Sequence, residues 1–170
     1  MRSLTTLCLV FTLLVPALAQ DKKRQPLMKA RAGHKTVLTK KTRDDNAWPA
    51  VPDARFEVVE YSGPLGAMKG MLAKPDKPAK KNPAILWLTG GFPAGGAGSS
   101  IWESPDPTND QSAQAFRHAG MMVFYPGLRG SFGNPGHQEA FYGEVDDVIA
   151  AATWLAKRPD VDPERVYLGG

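Results

Sequence analysis

Between Pro83 and Gly98 an apolar run breaks into a glycine-rich turn, and this stretch limits the possible folds more than any other. Ile85, Leu86, Trp87 and Leu88 follow one another without a polar interruption. A strand of this kind has no face to spare for water, so it belongs in the interior of a parallel sheet covered on both sides. Gly90 and Gly91 then allow the chain to turn sharply at the strand's carboxyl end. In open α/β sheets, ligands gather just beyond those strand ends.

The segments around this stretch alternate in the manner of such a sheet. Phe56, Val58 and Val59 mark a first strand over 55–61, Ser62 to Gly66 a turn, and 67–73 a second strand, together a predicted antiparallel hairpin. The polar run 74–82 reads as a surface loop. After Gly91 comes a long connection, Phe92 to about Thr108, where two to six residues are usual; a connection this long is functional or disordered. Asn109 or Thr108 is placed to cap a helix over 110–119, with Ala113, Phe116 and Ala119 near one face. Met121 to Tyr125 is another apolar strand, followed by a second glycine-rich loop, Pro126 to Gly136.

Val145, Val148, Ile149, Ala152 and Leu155 then fall on one helical stripe. Glu144, Asp146 and Asp147 in its first turn and Lys157 and Arg158 in its last match the helix dipole, with Pro159 as the stop. Asp160 to Glu164 reads as a turn, and Arg165 to Leu168 as a short strand before Gly169-Gly170.

The 170 residues, 42% apolar and 22% charged, suit one globular domain. Residues 1–19 stand apart. Arg2, the apolar core Leu7 to Val15 and the Ala17-Leu18-Ala19 site before Gln20 have the form of a secretory signal peptide, too short to span a membrane, so export is expected. The single cysteine, Cys8, lies inside it, which leaves the mature chain without thiol or disulfide chemistry. Residues 20–55 carry ten basic and four acidic side chains against ten and thirteen in 56–170. A basic leader over 20–54 on a mildly acidic body is not a nucleic-acid surface, because the positive charge does not sit on a packed face. The leader reads as flexible, with Trp48 as its one candidate for docking.

Nucleotide and metal chemistry can be tested on the letters. Gly96-Ala97-Gly98 lacks the third glycine of a dinucleotide fingerprint, and Gly91 to Gly96 has phosphate-loop spacing without the lysine that should follow. His34, His118 and His137 lie far apart, with no cysteine beside them, so no metal or other cofactor is expected.

The order of hairpin, buried strand, glycine turn, helix, strand, R-G-S loop, helix and strand ending in Gly-Gly resembles the first half of an α/β-hydrolase. More narrowly, L-W-L-T-G-G-F (86–92), Y-P-G-L-R-G-S-F-G-N-P-G (125–136) and E-V-D-D-V-I-A-A-A-T-W-L (144–155) are similar to the prolyl oligopeptidase family of serine peptidases. The resemblance covers residue 56 onward and implies a mostly parallel α/β sheet, of which this chain would hold the first five strands. It also implies acyl transfer on peptide or ester substrates. Such chemistry needs donors for the oxyanion of the tetrahedral intermediate, one of them from the loop after the third strand. Family members carry a tyrosine hydroxyl where this chain has Thr89. The resemblance therefore points to the Thr89 hydroxyl, or to the backbone N–H of Gly91 or Phe92; the plainer reading is that Gly90 and Gly91 only permit the turn.

Arg129 is the substrate-binding candidate, able to take a carboxylate. The favoured role is to anchor its own loop to Glu144 or Asp147. The nucleophile elbow, G-x-S-x-G, is expected directly after the strand that ends at Gly169-Gly170. Ser99, Ser100, Ser104 and Ser131 are not at that position, and His118 and His137 precede it. The expectation is thus an amino-terminal part of an exported serine hydrolase, inactive alone because serine, acid and histidine come after Gly170. The rivals are a complete secreted binding module and an esterase or dienelactone-hydrolase-like member of the same fold.

Overall fold

The buried strand, β3 (Asn82–Trp87), does lie inside the sheet, and its residues divide between two cores. Ala84 and Leu86 join Met68, Leu72, Met122 and Phe124 on one face, while Ile85 joins Met71, Val123 and Tyr125 on the other. Successive strand residues point to opposite faces, so a continuous apolar run fills both layers. The computed structural model describes residue 29 and residues 31–90, 98–103 and 108–170. Residues 1–19, where a signal peptide is expected, lie outside them; among the described residues no helix is long and apolar enough to cross a membrane.

The chain divides into two compact units, Met1–Lys35 and Thr36–Gly170. In the first, residues 31–34 form a turn closed by the His34 N–H on the Arg31 carbonyl at 2.9 Å. The second carries five strands: β1 (Phe56–Gly63), β2 (Gly66–Ala73), β3, β4 (Met122–Pro126) and β5 (Val161–Gly169). Their order is β1-β2-β4-β3-β5. The β1–β2 and β2–β4 pairs are antiparallel and β3 is parallel to both β4 and β5, with Leu86 opposite Phe124 and Trp87 opposite Gly169.

Helix α1 (Gln114–His118) leads from β3 to β4, and α2 (Tyr142–Ala156) from β4 to β5 on the other side of β3. Ala113 and Phe116 pack into one core and Ala151 and Leu155 into the other, so the two helices cover opposite faces. Where successive crossovers part in this way, a crevice opens at the strands' carboxyl ends.

Several local expectations shift. Helix α1 has only five residues and is not capped by Asn109 or Thr108. Asp110 instead accepts from the Ser112 N–H at 2.7 Å, and the Ser112 hydroxyl accepts from the Gln114 N–H at 3.2 Å, which holds 110–114 in a turn. Strand β5 begins at Val161, inside the expected turn. The register shift between Asn82 and Ala84 absorbs the excursion, where Asp162 accepts from the Glu164 N–H at 3.1 Å. Lys157 and Arg158 fall just beyond the end of α2, and Arg158 pairs with Asp160.

The leader is not free along its whole length. The Asp44 N–H donates to the Gly130 carbonyl at 2.6 Å, and the Gly133 N–H to the Asp44 carbonyl at 3.0 Å. The Gln138 N–H donates to Thr42 O at 3.0 Å. Trp48 stacks on Phe132 with ring centroids 4.5 Å apart. Residues 42–48 are therefore a strap on the second glycine-rich loop.

That loop is fixed from inside by Arg129. Its Nε and Nη2 donate to the two oxygens of Asp147 at 3.0 and 2.9 Å, its backbone N–H donates to the same carboxylate at 2.9 Å, and Nη1 reaches Glu139. Asp147 is wholly buried. Drawing this carboxylate inward turns α2 so that Gly143, Glu144, Asp147, Ala151 and Leu155 face the core, whereas Ile149, expected in the buried stripe, is 45% exposed.

Removing one partner of a buried ion pair leaves an uncompensated charge, so Asp147→Ala should cost about 3–5 kcal/mol, measured as a fall in the urea midpoint. Gly143→Ala, which raises helix propensity, is expected to destabilise as well, since a Cβ there would collide with the Arg129 guanidinium, which its two carboxylates hold in place. Burial works to raise the Glu139 pKa, but hydrogen bonds from Thr36 and Arg129 and the guanidinium charge prevail and hold it below its ordinary 4.5. A depressed carboxyl stabilises the fold above its unfolded pKa and loses that contribution as pH falls through the folded value. Urea melts should therefore weaken below about pH 4, less so in Glu139→Gln.

Candidate active site

The carboxyl ends of β3 and β5 lie side by side. The Leu88 N–H donates to the Gly169 carbonyl at 2.9 Å, which continues the pairing one step past Trp87. Only glycine fits at the residue just after β5, because a Cβ on Gly170 would sit 2.8 Å from the Leu88 carbonyl oxygen. Gly170, after which the nucleophile elbow is expected, is thus pressed against the residue before Thr89.

Thr89 is half-buried and Gly90 exposed. The Gly90 N–H donates to Gln111 Oε1 at 2.6 Å, and Gln111 Nε2 donates to Asn109 Oδ1. Gly91 and Phe92, the backbone candidates for the oxyanion, lie outside the described residues. Sequence reasoning did not find Gln111, since it lies 21 residues along the chain with no motif around it. The long connection between these points is anchored partway. A short 3-10 turn, Ser99–Ile101, buries Ile101 completely, Trp102 packs edge-on against Phe56 at 5.5 Å, and Arg117 Nη2 donates to the Ile101 carbonyl at 3.4 Å.

Two buried phenols hold the bases of the site's loops. Tyr125 donates to the Ser112 carbonyl ahead of α1, and Tyr61 donates to the Gly127 carbonyl at 3.2 Å where the second glycine loop begins. Burial raises both pKa values, so each remains a protonated donor. Asn134, nearly inaccessible, accepts from the Lys69 N–H at 2.8 Å and donates back to the Lys69 carbonyl at 3.0 Å, so a side chain extends the edge of β2.

Arg129 lies in the adjoining loop, but its charge is turned inward. With 6% of its surface exposed, it spends its guanidinium on Asp147 and Glu139, in the anchoring role. Burial alone would lower its pKa; the hydrogen bonds and charges of the two carboxylates outweigh that and raise it. Ser131 donates to the Leu128 carbonyl at 2.7 Å within its own loop, and Ser99 and Ser100 are exposed in the 3-10 turn. Ser104 lies outside the described residues. His118 is paired through Nδ1 with Asp76 on the surface, and this hydrogen bond is the main cause that holds the Asp76 carboxyl below its usual range. Among the described residues no group of three His, Cys, Asp or Glu is arranged to hold a metal ion.

Comparison of the sequence with models of protein families gives no match, and neither does comparison with functionally characterised proteins. Solved structures do match. XC6422 from Xanthomonas campestris, a member of the a/b serine hydrolases without a lid, aligns with a TM-score of 0.50 and 21% identity over 71% of this chain and 53% of its own. An alpha-beta serine hydrolase homologue from Coxiella burnetii aligns with the same TM-score of 0.50, 21% identity and 71% and 53% coverage. DcsB, solved in complex with its substrate analogue, aligns with a TM-score of 0.50 and 22% identity over 67% of this chain and 36% of its own. The chain spans about half the length of the first two structures and about a third of DcsB. With its sheet order and its paired strand ends, it has the α/β-hydrolase fold.

Proposed function

We propose that this chain is the oxyanion half of an exported serine hydrolase that cleaves ester or peptide bonds by acyl transfer. The observation that carries the reading is the meeting of Leu88-Thr89 with Gly169-Gly170, held by the 2.9 Å bond from the Leu88 N–H to the Gly169 carbonyl. In this fold the tetrahedral intermediate is held by two N–H groups, one from the loop after β3 and one from the residue that follows the nucleophile beyond β5. Both must lie about 3 Å from one oxygen, which requires the two strand ends to be neighbours. A serine supplied by the elbow after Gly170 would attack the carbonyl carbon, its proton passing to a histidine base, while the oxyanion forms beside the Thr89 turn. The resemblance of 86–92, 125–136 and 144–155 to the prolyl oligopeptidase family favours peptides among the substrates, and the same acyl-transfer chemistry extends to esters.

The threonine at position 89 carries its hydroxyl only one bond beyond Cβ, far short of a tyrosine's reach. The donor is therefore assigned to the backbone after Gly90. In the full-length protein, Thr89→Val should keep kcat within about threefold; a loss of about a hundredfold, typical of a deleted oxyanion donor, would transfer the role to the hydroxyl.

The hydrolase reading is checked by treating the full-length protein with a fluorophosphonate probe and assaying it on acyl esters and short peptides. Labelling of a serine after Gly170, with turnover that this labelling abolishes, is the expected result; no labelling and no turnover reject it. Export through residues 1–19 predicts a mature chain that begins at Gln20, read by intact mass of the secreted or periplasmic protein.

A further inference from the structure

The loop that follows β3 is tied at its start by one side chain with no place in the family pattern, Gln111. The Gly90 N–H can only donate, so the atom of Gln111 that faces it at 2.6 Å is the oxygen. The amide nitrogen then faces Asn109 Oδ1, which accepts from it. The carboxamide is thus fixed in one orientation by its two partners, and Asn109, expected to cap α1, instead holds Gln111.

The effect on the turn follows from peptide planarity. The Gly90 N–H and the Thr89 carbonyl lie in one plane, so a fixed direction for the N–H also fixes the carbonyl and the rotation about Thr89. On the other side of Thr89, the Leu88 N–H is held by the Gly169 carbonyl at 2.9 Å. One residue is therefore pinned from both flanks, by a strand end on one side and by Gln111 on the other. Gly90 is exposed, where a single hydrogen bond adds little to global stability. What the bond fixes is direction, and an oxyanion donor depends on direction more than on strength.

We infer that Gln111 is a positioning residue for the oxyanion turn: it removes the Gly90 N–H from the donors open to substrate and sets the Thr89–Gly90 peptide plane from which the turn departs. This rests on the hydrolase reading for its catalytic meaning, whereas the clamp itself can be tested without it.

The experiment combines amide hydrogen exchange and steady-state kinetics on the full-length protein with Gln111→Leu and Gln111→Glu. Leucine removes acceptor and donor; glutamate keeps an acceptor for Gly90. In Gln111→Leu, exchange at Gly90 should quicken about tenfold, the amides of β3 and β4 should keep their rates, and kcat on an acyl ester should fall about tenfold with KM within about twofold. Gln111→Glu should retain Gly90 protection and keep kcat within about threefold. Unchanged Gly90 exchange in Gln111→Leu overturns the clamp. A raised KM with unchanged kcat, or loss of protection throughout the sheet, overturns the positioning role. If the unsubstituted protein is not labelled by the fluorophosphonate probe and turns over neither ester nor peptide although Gly90 responds to Gln111→Leu, the hydrolase reading falls and takes the catalytic role with it, while the clamp stands.

Discussion

The structure depends above all on one buried ion pair. Arg129 carries a full charge into the interior, which is costly unless hydrogen bonds and opposite charge compensate it. Asp147 does so with both oxygens, and it also accepts the Arg129 backbone N–H, so the pair fixes main chain as well as side chain. The consequences spread outward. Asp147 turns α2 about its axis, Gly143 leaves room for the guanidinium, and the loop between β4 and α2 is held against the sheet. Because α2 leads directly into β5, the placement of that helix bears on where Gly169 meets β3.

Much of this was legible in the sequence, for identifiable reasons. Strands declare themselves through unbroken apolar runs: the run Ile85 to Leu88 marks β3, which ends one residue earlier at Trp87, and Met121 to Tyr125 marks β4, displaced by one residue. The hairpin of β1 and β2 followed from its turn residues. Helix α2 was legible as an element but not in its orientation, because hydrophobic periodicity treats an aspartate as a surface residue, and the expected pairing of Arg129 with Glu144 or Asp147 did not show that the pair is buried. The strap was legible only at Trp48, the docking candidate that stacks on Phe132; Thr42 and Asp44 bind through their backbones, and a backbone hydrogen bond leaves no mark on side-chain composition.

At the site, sequence identified a place more readily than an arrangement. Thr89 and Gly90 stand just past the end of β3, where the apolar run pointed, and the rule that ligands gather there needs no side-chain detail. Arg129 posed a genuine choice between binding a carboxylate of the substrate and binding one of its own, and its burial is what decides it. Gln111 had no signal, being a single amide in a polar stretch, and only its meeting with Gly90 gives it meaning. Short-range pattern reveals elements, whereas the groups that orient a site come from contacts distant in sequence.

The strap over the second glycine loop bears on how the chain acquires its structure. Thr42 and Asp44 find their partners at Gln138, Gly130 and Gly133, beyond the hairpin, β3 and β4. A contact that closes so long a loop forms only after the intervening chain has collapsed. The segment that leaves the ribosome early is therefore among the last to dock. Until the second glycine loop exists, Trp48 and its neighbours remain open to any factor that handles the chain on its way to a folded state.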